Sequence, residues 1–108
     1  MKFIKLVPIM LTLGGVCNAY AATITNANIN SVQSYTNGTI GIITNKQTIN
    51  PASCSSVSKY IIPSTDKGVN TTLSVFLAAK MSSKPVIIYI HDSSCSSGYP
   101  LITSVVLP

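Results

Sequence analysis

Short apolar runs alternate with stretches rich in Ser, Thr, Asn and Gly, and the spacing inside those runs changes along the chain. Ile24, Ile29 and Val32 stand widely apart among polar residues. The three-residue step from Ile29 to Val32 breaks strict alternation, so the strand predicted over Asn28–Tyr35 requires a bulge or a twist. Asn37-Gly38 comes next, a pair that accepts positive φ at both central positions of a type I′ hairpin turn. Thr39–Thr44 reads as a second strand, in which Gly41 marks a bend or a close approach. Thr44–Ser56 is polar, contains Pro51 and reads as a loop. Val57, Tyr60, Ile61 and Ile62 form a third predicted strand that Pro63 ends, and Ser64–Gly68 is a turn-rich connection.

The period then lengthens. Leu73, Phe76, Leu77, Lys80 and Met81 fall at i, i+3, i+4, i+7 and i+8, which predicts a helix over about Asn70–Met81 with these residues, Lys80 apart, as its buried stripe. Asn70 is the predicted N-cap, and Lys80 and Lys84 stand where a helix C-terminus favours cations. Pro85 stops the helix, and Val86–Ile90, apolar on both faces, predicts a central fourth strand. His91–Gly98 reads as a turn and Leu101–Leu107 as the fifth strand. The order β-β-β-α-β-β is that of an OB-fold, so the predicted class is β-rich α+β: a small five-stranded OB-fold-like barrel with one helix and one disulfide.

The N-terminus changes the domain count. Lys2 and Lys5 precede the apolar stretch Leu6–Val16, and Ala19-Tyr20-Ala21 supplies small residues for cleavage before Ala22. Residues 1–21 are therefore predicted to be a signal peptide of bacterial type and 22–108 a single OB-fold-like domain, secreted or periplasmic. The apolar stretch is well short of the roughly 20 residues that span a bilayer, so no membrane span is expected. Cys17 leaves with the signal, and Val16 disfavours a lipoprotein site. The remaining cysteines, Cys54 and Cys95, lie 41 residues apart. An even count in a small exported chain predicts a disulfide between them; a metal site lacks ligands, because the chain has one His and no C-x-x-C pair.

Charge narrows the function classes. Every basic residue is Lys, and after the signal Lys46, Lys59, Lys67, Lys80 and Lys84 stand against Asp66 and Asp92. Scattered lysines without Arg do not make a nucleic-acid surface. His91-Asp92 is the one acid–base pair; a nucleophile such as Ser93 or Ser94 would have to converge on it, and adjacent turn residues seldom do. An exposed His91 and a turn capped by Asp92 are the expectation. Asp66 and Asp92 are thin material for a glycosidase pair, and the chain has no G-x-S-x-G elbow or phosphate-cradling loop. Asn37-Gly38-Thr39 and Asn70-Thr71-Thr72 match glycosylation sequons, which carry no weight behind a bacterial signal. No cofactor and no catalytic residue is expected; the chain reads as a binding module and not an enzyme. Hydroxyl and amide side chains with scattered aromatics suit carbohydrate recognition, and Tyr35, Tyr60, Tyr89 and Tyr99 are the candidates for stacking, each also explicable as sheet packing.

The segment Leu73–Ile90 (LSVFLAAKMSSKPVIIYI), followed by Cys95, resembles small secreted bacterial proteins related to OB-fold toxin B subunits of the subtilase-cytotoxin and pertussis-like kind. There too a helix ends in a short polar turn and enters a V-x-I strand ahead of a cysteine. The resemblance covers about Cys54 to the C-terminus. It implies an OB-fold, a ring-forming homo-pentamer and binding to glycans on host cells. The chain is shorter, has one cysteine pair and no Trp, and none of the family's sugar-contacting residues can be matched to it. A structural or assembly component of the bacterial envelope, with no soluble ligand, is the alternative; a glycan or a protein is the expected partner. The Asn37-Gly38 hairpin and the Thr44–Ser56 loop are the expected places of partner contact.

Overall fold

The structure, a computed structural model, describes residues 22–108; the predicted signal peptide and Cys17 lie outside the described residues. Six strands and one helix follow in the order β1 (Ala22–Ala27), β2 (Ile29–Ser34), β3 (Ile40–Thr44), β4 (Tyr60–Ile62), α1 (Val69–Ser82), β5 (Val86–Ser96) and β6 (Tyr99–Val106). The strands form one sheet in the order β1-β5-β6-β4-β3-β2. Neighbours are antiparallel except β4 and β6, which run parallel through the pair Ile61 and Leu101. The class is β-rich α+β with one disulfide, as the apolar pattern predicts.

Six strands appear where five are predicted, because β1 forms ahead of the strand predicted over Asn28–Tyr35, which is β2. Asn26 takes φ 54°, the β1–β5 register slips between Ile24 and Ala27, and only Asn28 separates β1 from β2. Asn28 gives its N–H to Asn45 Oδ1 and receives the Asn45 N–H on its own carbonyl, so the break is pinned from both sides. The three-residue step from Ile29 to Val32 coincides with the expected irregularity inside β2, where the β2–β3 register slips between Ile29 and Ser31. Ile24, Ala27 and Ile29 are all buried despite the break.

The core is built mainly from isoleucine. Ile42, Ile88 and Ile90 are completely buried with Tyr60, Phe76 and Val86. On β5 the residues Val86, Ile88 and Ile90 face inward, while Ile87 and Tyr89 are half-buried between the neighbours β1 and β6. The helix packs on β2 and β6 with only part of the predicted stripe, Phe76 and the half-buried Leu73. Phe76 and Ala79 are its buried residues, whereas Leu77 and Met81 are exposed, Met81 at 85 %. It also begins at Val69 and not after Asn70: Asp66 Oδ1 accepts the Gly68 N–H, Asp66 O accepts the Val69 N–H, and Gly68 occupies the N-cap. That Asx turn fixes the start before Asn70 is reached.

Two turns exchange the roles predicted for them. At Asn37-Gly38 only Gly38 has positive φ; Tyr35 O accepts the Gly38 N–H and Tyr35 N–H reaches Thr39 O, the pattern of a three-residue loop with a glycine bulge. The turn with positive φ at both central residues is instead Ser97-Gly98, between β5 and β6. Consequently His91–Ser96 is not turn but strand. β5 nevertheless bulges: register jumps from Ile90–Ile102 to Cys95–Pro100, so that His91–Ser94 oppose Leu101 alone. Cys54 and Cys95 are bonded, with Cα atoms 5.8 Å apart, tying the loop before β4 to the end of β5.

Candidate functional site

The disulfide and the Ser97-Gly98 turn hold together the parts of one cleft. Ser56 N–H donates to Gly98 O at 2.9 Å, and Asn50 clamps the Cys54 backbone, accepting its N–H at 2.7 Å and donating to its carbonyl at 2.8 Å. Beside this anchor lies a cleft of about 210 Å³ lined by Tyr35, Asn37, Thr39, Ile61, Ser97 and Tyr99. It therefore draws on the β2–β3 loop, on β4, and on the turn between β5 and β6.

Lys59, immediately before β4, sits between the two aromatic walls. Its Nζ lies 5.1 Å from the centre of the Tyr35 ring and 5.3 Å from that of Tyr99, within cation–π range of both. It also donates to the Tyr35 hydroxyl and to Gln33 Oε1, the latter at 3.0 Å, while Tyr35 donates to the same Gln33 oxygen at 3.1 Å. The hydrogen bond to Tyr35 holds the ammonium above the usual lysine range; loss of water opposes this, and the Tyr35 and Tyr99 phenols add to it. Lys59 reaches this position because β3 carries no side chain at Gly41, where an added Cβ would stand 3.0 Å from Lys59 Cδ. Gly41 thus answers its predicted close approach, and what approaches is the lysine stem. Asn37 Oδ1 accepts the Thr39 N–H, which fixes the shape of the loop at the cleft mouth.

Two of the four tyrosines named from sequence, Tyr35 and Tyr99, converge here. Tyr60 does not: it is fully buried, and its hydroxyl accepts the Ile49 N–H at 2.9 Å. Tyr89 pairs across β5 with Thr23 and Ser104, away from the cleft. The Asn37-Gly38 hairpin contributes Asn37 and Thr39, whereas none of the cleft-lining residues comes from the Thr44–Ser56 loop. Lys59 and Gln33 were not evident in the sequence as partners, being 26 residues apart; the one local sign was a glycine inside an apolar strand.

His91 and Asp92 take structural places with their roles reversed. His91 Nδ1 accepts the N–H groups of Ser93 and Ser94 at 3.2 and 3.1 Å, so the imidazole caps the bulge that the ladder leaves unpaired. Asp92 Oδ1 is 3.9 Å from the same nitrogen. Asp66 is used in the turn before α1. Among the described residues there is no group of three or more His, Cys, Asp or Glu that could hold a metal, and no helix is long and apolar enough to cross a membrane.

The lining can therefore offer two tyrosine rings and the neutral donors and acceptors of Asn37, Thr39 and Ser97, with the Lys59 ammonium close to both rings. Comparison with protein-family models, with curated proteins and with solved structures finds no match.

Proposed function

We propose that this chain is a non-catalytic binding module that takes a glycan in the Tyr35–Tyr99 cleft. The observation that carries the reading is the pair of tyrosine rings flanking Lys59, with amide and hydroxyl groups at the rim. Aromatic faces match the C–H faces of a sugar, while neutral donors and acceptors match its hydroxyls. The volume suits a single sugar ring rather than an extended chain.

The finer fold belongs to the same proposal. β1 and β2 stand at opposite ends of the sheet order, yet one residue joins them, and two virtual bonds span at most about 7.6 Å. A sheet that curls until its ends meet would satisfy this, with β1 and β2 acting as one long bent strand. Counted so, five strands run with the third and fifth parallel, which supports an OB-like barrel. OB-folds bind oligosaccharides and oligonucleotides through the second and third strands and the loops between strands 1–2 and 4–5. The cleft draws on the corresponding parts, β4, the Tyr35–Thr39 loop and the Ser97-Gly98 turn. The likeness of Leu73–Ile90 to toxin B subunits extends the proposal to a secreted, ring-forming receptor-binding protein.

A glycan array on the exported protein tests the reading, with Tyr99→Ala and Lys59→Met as controls. Binding that both substitutions abolish supports it. No binding to any glycan, or binding that both substitutions spare, sinks it. The second reading, an envelope assembly component without a soluble ligand, is favoured by the exposed Leu77 and Met81 one turn apart on α1. Light scattering separates the two: a discrete ring supports a B-subunit-like module, and filaments support assembly.

A further inference from the structure

At the other end of β2 from the Tyr35–Tyr99 cleft, the C-terminus of α1 meets the break at Asn28. A cavity of about 270 Å³ opens there, lined by Asn28, Ile29, Ala79, Lys80, Ser83 and Lys84. Its frame is fixed. Ser83, in the left-handed conformation at φ 56°, donates its N–H to Lys80 O, and Lys84 N–H donates to Ala79 O. Both backbone groups of Asn28 are held by Asn45. The side chains pointing from this frame are not so engaged. Among the described residues, Lys80, Lys84, Ser83 and the Asn28 amide make no side-chain hydrogen bond, and neither lysine has a carboxylate within ion-pair distance.

The electrostatics favour an anion. A helix C-terminus ordinarily repels one, but two of its last four carbonyls, those of Ala79 and Lys80, are capped by the Lys84 and Ser83 N–H groups. Two uncompensated ammoniums then dominate, with an amide and a hydroxyl as further donors. Asp66 is spent at the opposite end of the helix and Asp92 in the β5 bulge.

A second observation selects the kind of anion. At 100° per residue Leu77, Lys80 and Met81 lie within an arc of about 100° on α1. Leu77 is 43 % and Met81 85 % exposed, so an apolar ridge borders the cationic cavity. A soluble phosphate has no use for that ridge. A lipid does: its phosphate meets the lysines while Leu77 and Met81 enter the boundary between headgroups and acyl chains.

We propose that the C-terminal end of α1 is a peripheral docking surface for anionic phospholipid, with the headgroup phosphate in the Lys80–Lys84 cavity and Leu77 and Met81 in the membrane interface.

Co-sedimentation of the exported protein with phosphatidylglycerol and phosphatidylcholine vesicles, in about 0.1 M salt, tests this. Binding is expected to the anionic vesicles and not to the neutral ones. Lys80→Gln/Lys84→Gln should weaken it roughly thirtyfold, about fivefold for each lysine. Lys46→Gln/Lys67→Gln removes the same charge elsewhere and should weaken it far less. Leu77→Ser/Met81→Ser should weaken it while leaving the charge untouched. Equal losses in the two lysine pairs would show attraction by net charge alone and overturn the site. Absence of binding to anionic vesicles, or binding of free glycerophosphate without vesicle binding, would overturn the lipid.

Discussion

The Cys54–Cys95 bond lends itself to a quantitative test. The perturbation is Cys54→Ala/Cys95→Ala, which opens a covalent loop of 41 residues. In the chain-entropy account, closing a loop of that length stabilises by about 4 kcal/mol, because the bond restricts the unfolded chain. The native contacts around it should largely persist. Asn50 grips the Cys54 backbone through two hydrogen bonds, and Gly98 O still receives the Ser56 N–H; none of these involves sulfur. Losing the buried Cys54 sulfur adds little. A loss of about 3–4 kcal/mol is a large share of the 5–15 kcal/mol typical of a domain, and more so for a small one. Urea unfolding followed by circular dichroism should show this loss with a steeper denaturant dependence, since the unlinked chain exposes more surface. The melting temperature should fall by roughly 15–30 °C. A loss under about 1 kcal/mol with an unchanged slope would refute the reasoning, and would mean that the 54–95 segment is already restrained when unfolded.

Other substitutions probe the remaining claims. Tyr60→Phe removes the acceptor of the Ile49 N–H and should cost about 1–3 kcal/mol in chemical denaturation. Burial holds the Tyr60 phenol above its usual range, against the opposing hydrogen bonds from Ile49 and Thr48. Its contribution to stability is therefore complete below pH 10 and is lost as the pH rises toward the folded value; unfolding curves at stepped alkaline pH, with tyrosinate absorbance as the monitor, should show this decline only when Tyr60 is present. Phe76→Ala empties the helix side of the core and should cost about 3–5 kcal/mol, whereas Met81→Ala, fully outside it, should cost under about 0.5 kcal/mol. Gly41→Ala pushes against Lys59 Cδ and should change the near-ultraviolet circular dichroism of the Tyr35–Tyr99 pair with the fold intact.

The elements that could be read from the sequence were those whose signals are local. β3, β4 and the start of β5 were evident because consecutive isoleucines leave little choice, and the disulfide because only two cysteines follow the predicted signal. The face of the helix was only partly evident, because Leu77 and Met81 satisfy the helical period as well as Leu73 and Phe76, which do meet the core. What decides between them is which side chains meet β2 and β6, a matter of tertiary packing and not of periodicity. The bulge at His91–Ser94 was read as a turn because polar residues dominate it; the imidazole that completes it acts as a backbone substitute, which composition does not reveal. Tyr35 and Tyr99, two of the six residues lining the candidate site, were legible as tyrosines. Lys59 was not, since the space that admits it is made by the absence of a side chain on a neighbouring strand.

The break at Asn28 has a consequence for the order of events in folding. β2 can zip against β3 as soon as the Tyr35–Thr39 loop closes, a short-range step. β1, one residue earlier, has to wait for β5, since Ala22 pairs with Ile90 near the far end of the chain. The first stretch of the domain to leave the ribosome is thus among the last to find its place, and loop closure of that length is slow. While the chain folds, β1 therefore stays unpaired after β2 has docked on β3. Hydrogen-exchange labelling during refolding should protect Val32 and Ile42 before Thr23 and Ile24.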